Sequence, residues 1–257
     1  MRRRAELRLA DTVALGLLQG PAELLPISST AHVELLGRRL PGYARLSPAE
    51  RKELAVALHA GSAVALGAGG LRRDRLVLLA VATLPAALAG LALEGPVERQ
   101  LSAPGAMATG LLAGSAALVL ADRQAQLRGA DDARLADALW LGLAQAAALA
   151  PGVSRSGAVR SAARARGFTR AAAADLAGET ALPVLAGATA LKSVRLARRR
   201  PPPSTVAPLA AGALAAAVST GAARTLGRRA EPPAVVWAVY RSAVAAAVLG
   251  VRHNGRR

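Results

Sequence analysis

The chain has no cysteine and almost no aromatic residues, with one Phe, two Trp and two Tyr in 257 residues. Without thiols there is no disulfide scaffold, no thiolate metal site and no cysteine nucleophile. The shortage of rings removes the stacking platforms that single-strand nucleic-acid binders use. Acidic residues are also few, 16 Asp plus Glu against 33 Lys plus Arg, which leaves a formal net charge of +17. Such a balance ordinarily points to nucleic acid. Here 53% of the residues are hydrophobic and the mean hydropathy is +0.33, too apolar for a DNA- or RNA-binding domain and for a disordered chain.

What the sequence does have is long uncharged stretches between clusters of charge. Residues 76–93, 101–121 and 201–223 carry no Asp, Glu, Lys or Arg, and runs of about 18 or more such residues read as transmembrane helices. Three more segments qualify if a few polar residues are accepted: 54–71 with His59, 172–191 with Asp175 and Glu179, and 234–251 with Arg241. The fold class is therefore an all-α polytopic membrane protein. Ala and Gly dominate the spans, which suits close approach of helix backbones. The N-terminal MRRRAELRLAD has no apolar signal core followed by a cleavage site, so retention of this segment is expected.

Two shorter apolar runs stop in polar clusters. Residues 12–22 lead to Glu23, Pro26, Ser28, Ser29, Thr30 and His32, and residues 138–154 end at Pro151, Gly152, Ser154, Arg155, Ser156 and Gly157. Both read as broken, re-entrant helix pairs, and Gly16-Leu17-Leu18-Gln19 is matched by Gly142-Leu143-Ala144-Gln145. Each half then holds one re-entrant pair, at 9–37 and 135–167, followed by three spans. Because three is odd, the halves, roughly 1–122 and 135–257 of one membrane domain, have opposite topology, and six transmembrane helices plus two re-entrant pairs form an inverted repeat. Non-helical backbone at membrane depth survives only where it lines a cavity, so the two polar clusters are expected to share a site. The excess of basic residues on the side of both termini places that side in the cytoplasm. The Arg-rich tails are read as anchors on anionic membrane lipids, without a nucleic-acid partner.

Arg155, beside serines where a half-helix begins, forms a site for phosphate. The alternative has Ser154 as a helix cap and Arg155 reaching to the interface. Gln19 and Glu23 share a helix face, and a carboxylate with an amide oxygen suits a hard divalent cation, Mg²⁺ or Ca²⁺. The same residues support acid–base chemistry with His32 as proton carrier, and Ser28 or Ser29 as nucleophile.

Gln19-Gly20-x-x-Glu23-Leu24-Leu25-Pro26-Ile27-Ser28-Ser29-Thr30-x-His32 and Pro151-Gly152-Val153-Ser154-Arg155-Ser156-Gly157 resemble the two signature motifs of the undecaprenyl-diphosphate phosphatase family of the bacitracin-resistance type. Further likeness lies in His59-Ala60-Gly61-Ser62, where His replaces the usual Gln, in Leu84-Pro85-Ala86 and Gly90, in Leu182-Pro183 and Gly187, and in Trp237-Ala238-Val239-Tyr240-Arg241. The resemblance implies hydrolysis of undecaprenyl diphosphate at the outer face of the bacterial plasma membrane, which recycles the peptidoglycan lipid carrier, with a divalent cation and a homodimer. It places Gln19 and Glu23 at the metal. It assigns catalysis to Glu23, Ser29, His32 and Arg155, with water as an alternative nucleophile, and phosphate binding to Ser28, Thr30, Ser154, Arg155, Ser156 and Gly157. Departures are Val159 for a usual Thr, Ala31 for Gly, Asp175 for Glu, the added Glu179 and four arginines within 160–170. A polyprenyl-phosphate transporter or flippase is the alternative, since inverted repeats with broken helices are a transporter architecture.

Overall fold

The computed structural model describes residues 7–100, 103–123, 125–198, 203–226 and 231–254. The described helices are α1 (Leu9–Leu24), α2 (Ser29–Gly37), α3 (Pro41–Ala44), α4 (Pro48–Gly67), α5 (Leu76–Gln100), α6 (Pro104–Ala121), α7 (Leu135–Ala147), α8 (Arg155–Ala165), α9 (Arg170–Arg198), α10 (Pro203–Leu226) and α11 (Ala234–Asn254). No strand occurs among the described residues, and one isolated bridge pairs Arg128 with Phe168. Three helical stretches are long and apolar enough to cross a membrane by length and composition, Arg73–Leu93, Pro104–Ala121 and Ser204–Leu226. They carry the three uncharged runs, of which residues 101–102 and 201–202 lie outside the described residues. The spans with embedded polar groups lie in α4, α9 and α11, with α4 ending at Gly67 ahead of Gly70 at positive φ. The tail arginines Arg2–Arg4, Arg256 and Arg257, expected as lipid anchors, lie outside the described residues.

Helix α1 gives way to α2 across 25–28, and α7 to α8 across 148–154. Pro26 and Pro151 explain where. Proline has no N–H to donate back into a helix and disfavours helical backbone in the residue before it. After Pro151 the chain turns at Gly152, φ +83°, where a side chain would also collide with the Met107 carbonyl. After Pro26 the turn is made by Ser28 at φ +71°, a left-handed backbone that only a few per cent of non-glycine residues adopt.

The chain forms two compact units, one of Met1–Glu23, His32–Gly70 and Leu185–Arg228, the other of Leu24–Ala31, Leu71–Val184 and Arg229–Arg257. In the first, α1 lies against α10. A Cβ on Gly16 would overlap the Gly212 carbonyl, and Ser219 Oγ donates to Gly16 O at 2.9 Å while accepting from Gly20 N at 3.2 Å. Leu15, Leu54, Leu58 and Ala216 fill the core around this contact. In the second unit α7 lies against α5. A Cβ on Gly142 would meet Ala82 O and Pro85, and Gln145 Nε2 donates to Ala82 O at 2.9 Å. Leu141, Val159, Ala163, Phe168 and Leu176 form the core beside it.

The two arrangements share three residues at matching positions. Asp11, Gly16 and Gln19 on α1 recur at one constant offset as Asp137, Gly142 and Gln145 on α7. Both aspartates are buried at the start of their helices. Asp11 Oδ2 accepts from Gly42 N at 2.7 Å, and Asp137 accepts from Arg134 N at 2.9 Å and pairs with Arg128 and Arg166. Each helix that leads into a break is thus set against an apolar helix from the other half of the sequence.

The arginines of 160–170 are not the solvated anchors that a loop cluster implies. Arg160 pairs with Glu231, Arg164 and Arg170 with Asp122, and Arg166 with Asp137. Arg160 and Arg164 are buried, at 8% and 2% exposure, as is Arg75, paired with Asp131 and Glu179. Burying a guanidinium is costly without compensating partners, and Arg75, Arg160 and Arg164 each find a carboxylate in their own unit.

Candidate active site

The second unit holds the Ser154 motif together with the turn after α1. Ser154 caps α8, accepting from Gly157 N at 3.2 Å, and lies 3.2 Å from Ser156 Oγ. The capping role that sequence left as an alternative is therefore real. Arg155 is the first residue of α8 and is half-buried. Its Nη1 donates to the Ala177 carbonyl of α9 at 3.0 Å, which keeps the guanidinium inside the protein at a helix N-terminus.

A helix leaves its last four carbonyls without an intrahelical partner, and the end of α1 finds partners on other elements. Leu24 O accepts from Arg160 Nη2 at 3.1 Å, Leu25 O from Ser156 Oγ at 2.6 Å, and Pro26 O from Arg241 Nη1 at 3.0 Å. Three consecutive carbonyls are thus held by three side chains from α8 and α11. Arg160 is aimed by Glu231 Oε2 at 2.5 Å. Arg241 is fully buried and also donates to Gly110 O and Gly152 O at 3.4 Å each, so one guanidinium holds the backbone at both breaks. Gly157 leaves the room it needs, since a Cβ there would meet Arg241 Nη1. On the held turn Ser28 is buried, Ser29 half-buried at the first position of α2, and Thr30 exposed. Val159, where a hydroxyl was expected, is buried in the apolar core of this unit.

The first unit holds the remaining residues. Gln19 Nε2 donates to Glu23 Oε2 at 3.0 Å, and both side chains are buried. His59 of α4 presents Nε2 at 3.5 Å from the same oxygen, while its Nδ1 lies 2.7 Å from Ala55 O. His32 is also buried in this unit. Among the described residues no group of three or more His, Asp or Glu gathers as a metal cage. The Glu23 carboxylate and the Gln19 amide fit a divalent cation whose other ligands are substrate phosphate oxygens and water, as Mg²⁺ sites commonly have.

The candidate residues thus fall into two sets, Ser28, Ser29, Thr30, Ser154, Arg155, Ser156 and Gly157 in one unit, and Gln19, Glu23 and His32 in the other. The chain passes from one to the other at Glu23–Leu24 and Ala31–His32. Sequence reasoning missed the roles of Arg160, Glu231 and Arg241. An arginine inside an otherwise apolar span was the signal available for Arg241. Arg160 and Glu231 are too far apart in sequence to be paired by spacing.

A family model described as bacitracin resistance protein BacA matches residues 70–247. The chain is 39% identical over 234 residues to an undecaprenyl-diphosphatase of Geobacter sulfurreducens, covering 82% of this chain and 85% of that protein. It is 34% identical over 208 residues to one of Desulforudis audaxviator, covering 72% and 76%, and 34% identical over 211 residues to one of Campylobacter curvus, covering 74% and 78%.

Proposed function

The chain belongs to the bacitracin resistance protein BacA family, and we propose from that membership that it is an undecaprenyl-diphosphate phosphatase. It hydrolyses undecaprenyl diphosphate to undecaprenyl phosphate and inorganic phosphate, recycling the lipid carrier and so conferring bacitracin resistance. The observation that carries the site assignment is the hydrogen bond from Ser156 to Leu25 O, which ties the phosphate-binding motif to the turn bearing Ser28 and Ser29.

In this reading Arg155 and the N-terminal turn of α8 bind the terminal phosphate and offset the charge that develops on its oxygens. Ser29 Oγ or a water attacks the terminal phosphorus, the bond to the bridging oxygen breaks, and undecaprenyl phosphate leaves. If Ser29 attacks, water then hydrolyses the phosphoserine. Glu23 takes the nucleophile's proton, with His32 as the proton carrier. Gln19 fixes the Glu23 carboxylate, and these two residues would hold the divalent cation. When bound, Mg²⁺ or Ca²⁺ supplies charge neutralisation at the phosphate oxygens.

The proposed setting is a multi-pass protein of the bacterial inner membrane, its termini cytoplasmic, its site open to the outer face and its chains paired as homodimers. The matched contacts of Gly16 on α10 and Gly142 on α5 support the inverted repeat. A transporter needs a phosphate clamp alone, whereas a chain that also carries Glu23, Ser29 and His32 has the base, nucleophile and proton carrier that an enzyme uses. Purified protein given a polyprenyl diphosphate with Mg²⁺ or Ca²⁺ is expected to release phosphate and to stop on chelation. No release with either cation would refute the reading.

A further inference from the structure

The contact between His59 and Glu23 has the wrong length for what it first resembles. His59 Nδ1 lies 2.7 Å from the Ala55 carbonyl, which can only accept, so Nδ1 carries a proton, and the neutral tautomer with that proton has its lone pair on Nε2. That nitrogen stands 3.5 Å from Glu23 Oε2. A charge-assisted hydrogen bond between an imidazolium and a carboxylate would close to about 2.7–2.9 Å. With the proton on Nδ1, the Nε2 lone pair and Oε2 stand at a spacing that a cation can bridge. Ligand atoms each about 2.1 Å from a tetrahedral ion stand about 3.4 Å apart, which the observed separation matches. Glu23 Oε2 is already oriented by Gln19 Nε2 at 3.0 Å, the kind of support that fixes metal-binding carboxylates.

We propose that His59 ligates the divalent cation together with Glu23, giving this chain a mixed nitrogen and oxygen set that selects Co²⁺ or Zn²⁺ over Mg²⁺ and Ca²⁺. Imidazole suits the transition metals, while Mg²⁺ and Ca²⁺ favour oxygen donors. Glutamine at position 59, the residue usual in the family it resembles, would offer an amide oxygen in place of the imidazole. The inference rests on the proposed cation site at Glu23, but its test uses the metal alone and no substrate.

The full chain purified in detergent is titrated with Co²⁺ and, separately, with Mg²⁺. Wild type is expected to bind one Co²⁺ per chain more tightly than Mg²⁺, and His59→Gln to bind Co²⁺ at least about tenfold more weakly, with Mg²⁺ affinity held or improved. Pulsed electron paramagnetic resonance of bound Mn²⁺ in wild type gives a readout independent of any variant, a directly coordinated nitrogen that His59→Gln removes. Unchanged Co²⁺ affinity in His59→Gln, no coordinated nitrogen, or no Co²⁺ binding by wild type would overturn the proposal, the first being the result of a plain ion pair. Phosphate release by wild type alongside any of these would leave the phosphatase reading standing. Nitrogen-ligated metal without phosphate release would do the reverse.

Discussion

The Ser156 hydroxyl donates a 2.6 Å hydrogen bond to the backbone carbonyl of Leu25. Ser156 belongs to the phosphate-binding motif and Leu25 to the turn that carries Ser28 and Ser29. The two motifs therefore share a fixed register within one compact unit, even though they lie in different halves of the sequence. Arg160 and Arg241 add the flanking contacts to Leu24 O and Pro26 O, so the turn cannot shift without breaking bonds to α8 and α11.

Arg160 acts on the turn as a positioning residue and Glu231 aims it. Arg160→Ala and Glu231→Ala are each expected to lower kcat for phosphate release with little change in KM. The double variant should fall short of the sum by about 1–3 kcal/mol, because both remove one device. Additive losses would show that the pair does not work as a unit. A fall in thermal stability with kcat intact would assign it a structural role only.

Arg241 is a fully buried charge solvated by three backbone carbonyls. Arg241→Met removes the charge but strands Pro26 O and Gly152 O, and hydrogen bonds to charged groups are worth about 1.5–3 kcal/mol each. A loss of several kcal/mol is expected, read as a lower Tm in detergent. Arg241→Lys should recover only part, since an ammonium cannot span the positions that a planar guanidinium reaches. A Tm equal to wild type for Arg241→Met would contradict the bridging role.

Asp122, just past the end of α6, provides a pH test. Burial pushes its pKa up, but hydrogen bonds from Arg170 and the Ala234 N–H and the charges of Arg164 and Arg170 outweigh that and hold it below the usual 3.8. A carboxyl depressed in the folded state contributes stability above its unfolded pKa and loses it as pH falls through the folded one. Wild type should therefore lose Tm as pH drops below about 4. Asp122→Asn should be less stable at pH 7 and lose less over that interval. An equal decline in both proteins would place the acid sensitivity elsewhere.

Much of this was legible in the residues themselves. Pro26 and Pro151 marked both breaks because each stands among serines at the end of an apolar run, whereas Pro21, Pro183 and Pro208 are carried inside helices, and the uncharged runs marked the apolar helices. Arg155 was legible because a charge beside serines and a Pro-Gly break has few other uses. The backbone staples were not legible, because Arg160 reaches Glu231 and Leu24 across large sequence separations. The left-handed turn at Ser28 gave no warning either, since glycine is the residue that announces such a turn. The match of Gly16 and Gln19 with Gly142 and Gln145 is visible in the residues, whereas the packing of both glycines against the backbone of α10 and α5 is not.

The proposed inverted repeat predicts that residues 38–52 and 123–134 face opposite sides of the membrane. The chain has no native cysteine, so single cysteines placed in each segment can be labelled from one face at a time. Labelling of the two from opposite faces is expected. Labelling of both from the same face would refute the opposed topology.

Phosphate release from a polyprenyl diphosphate by Glu23→Gln and Arg155→Ala beside wild type addresses the assignment of chemistry most directly. Wild type should turn over in a divalent cation. Arg155→Ala should lose about 10²–10³ in kcat, as removal of a donor to a developing oxyanion does, and Glu23→Gln a comparable amount. Ser154, which caps α8, is intact in both, so helix content should not change. Wild-type rates in both variants would contradict the placement of the reaction at Glu23 and Arg155.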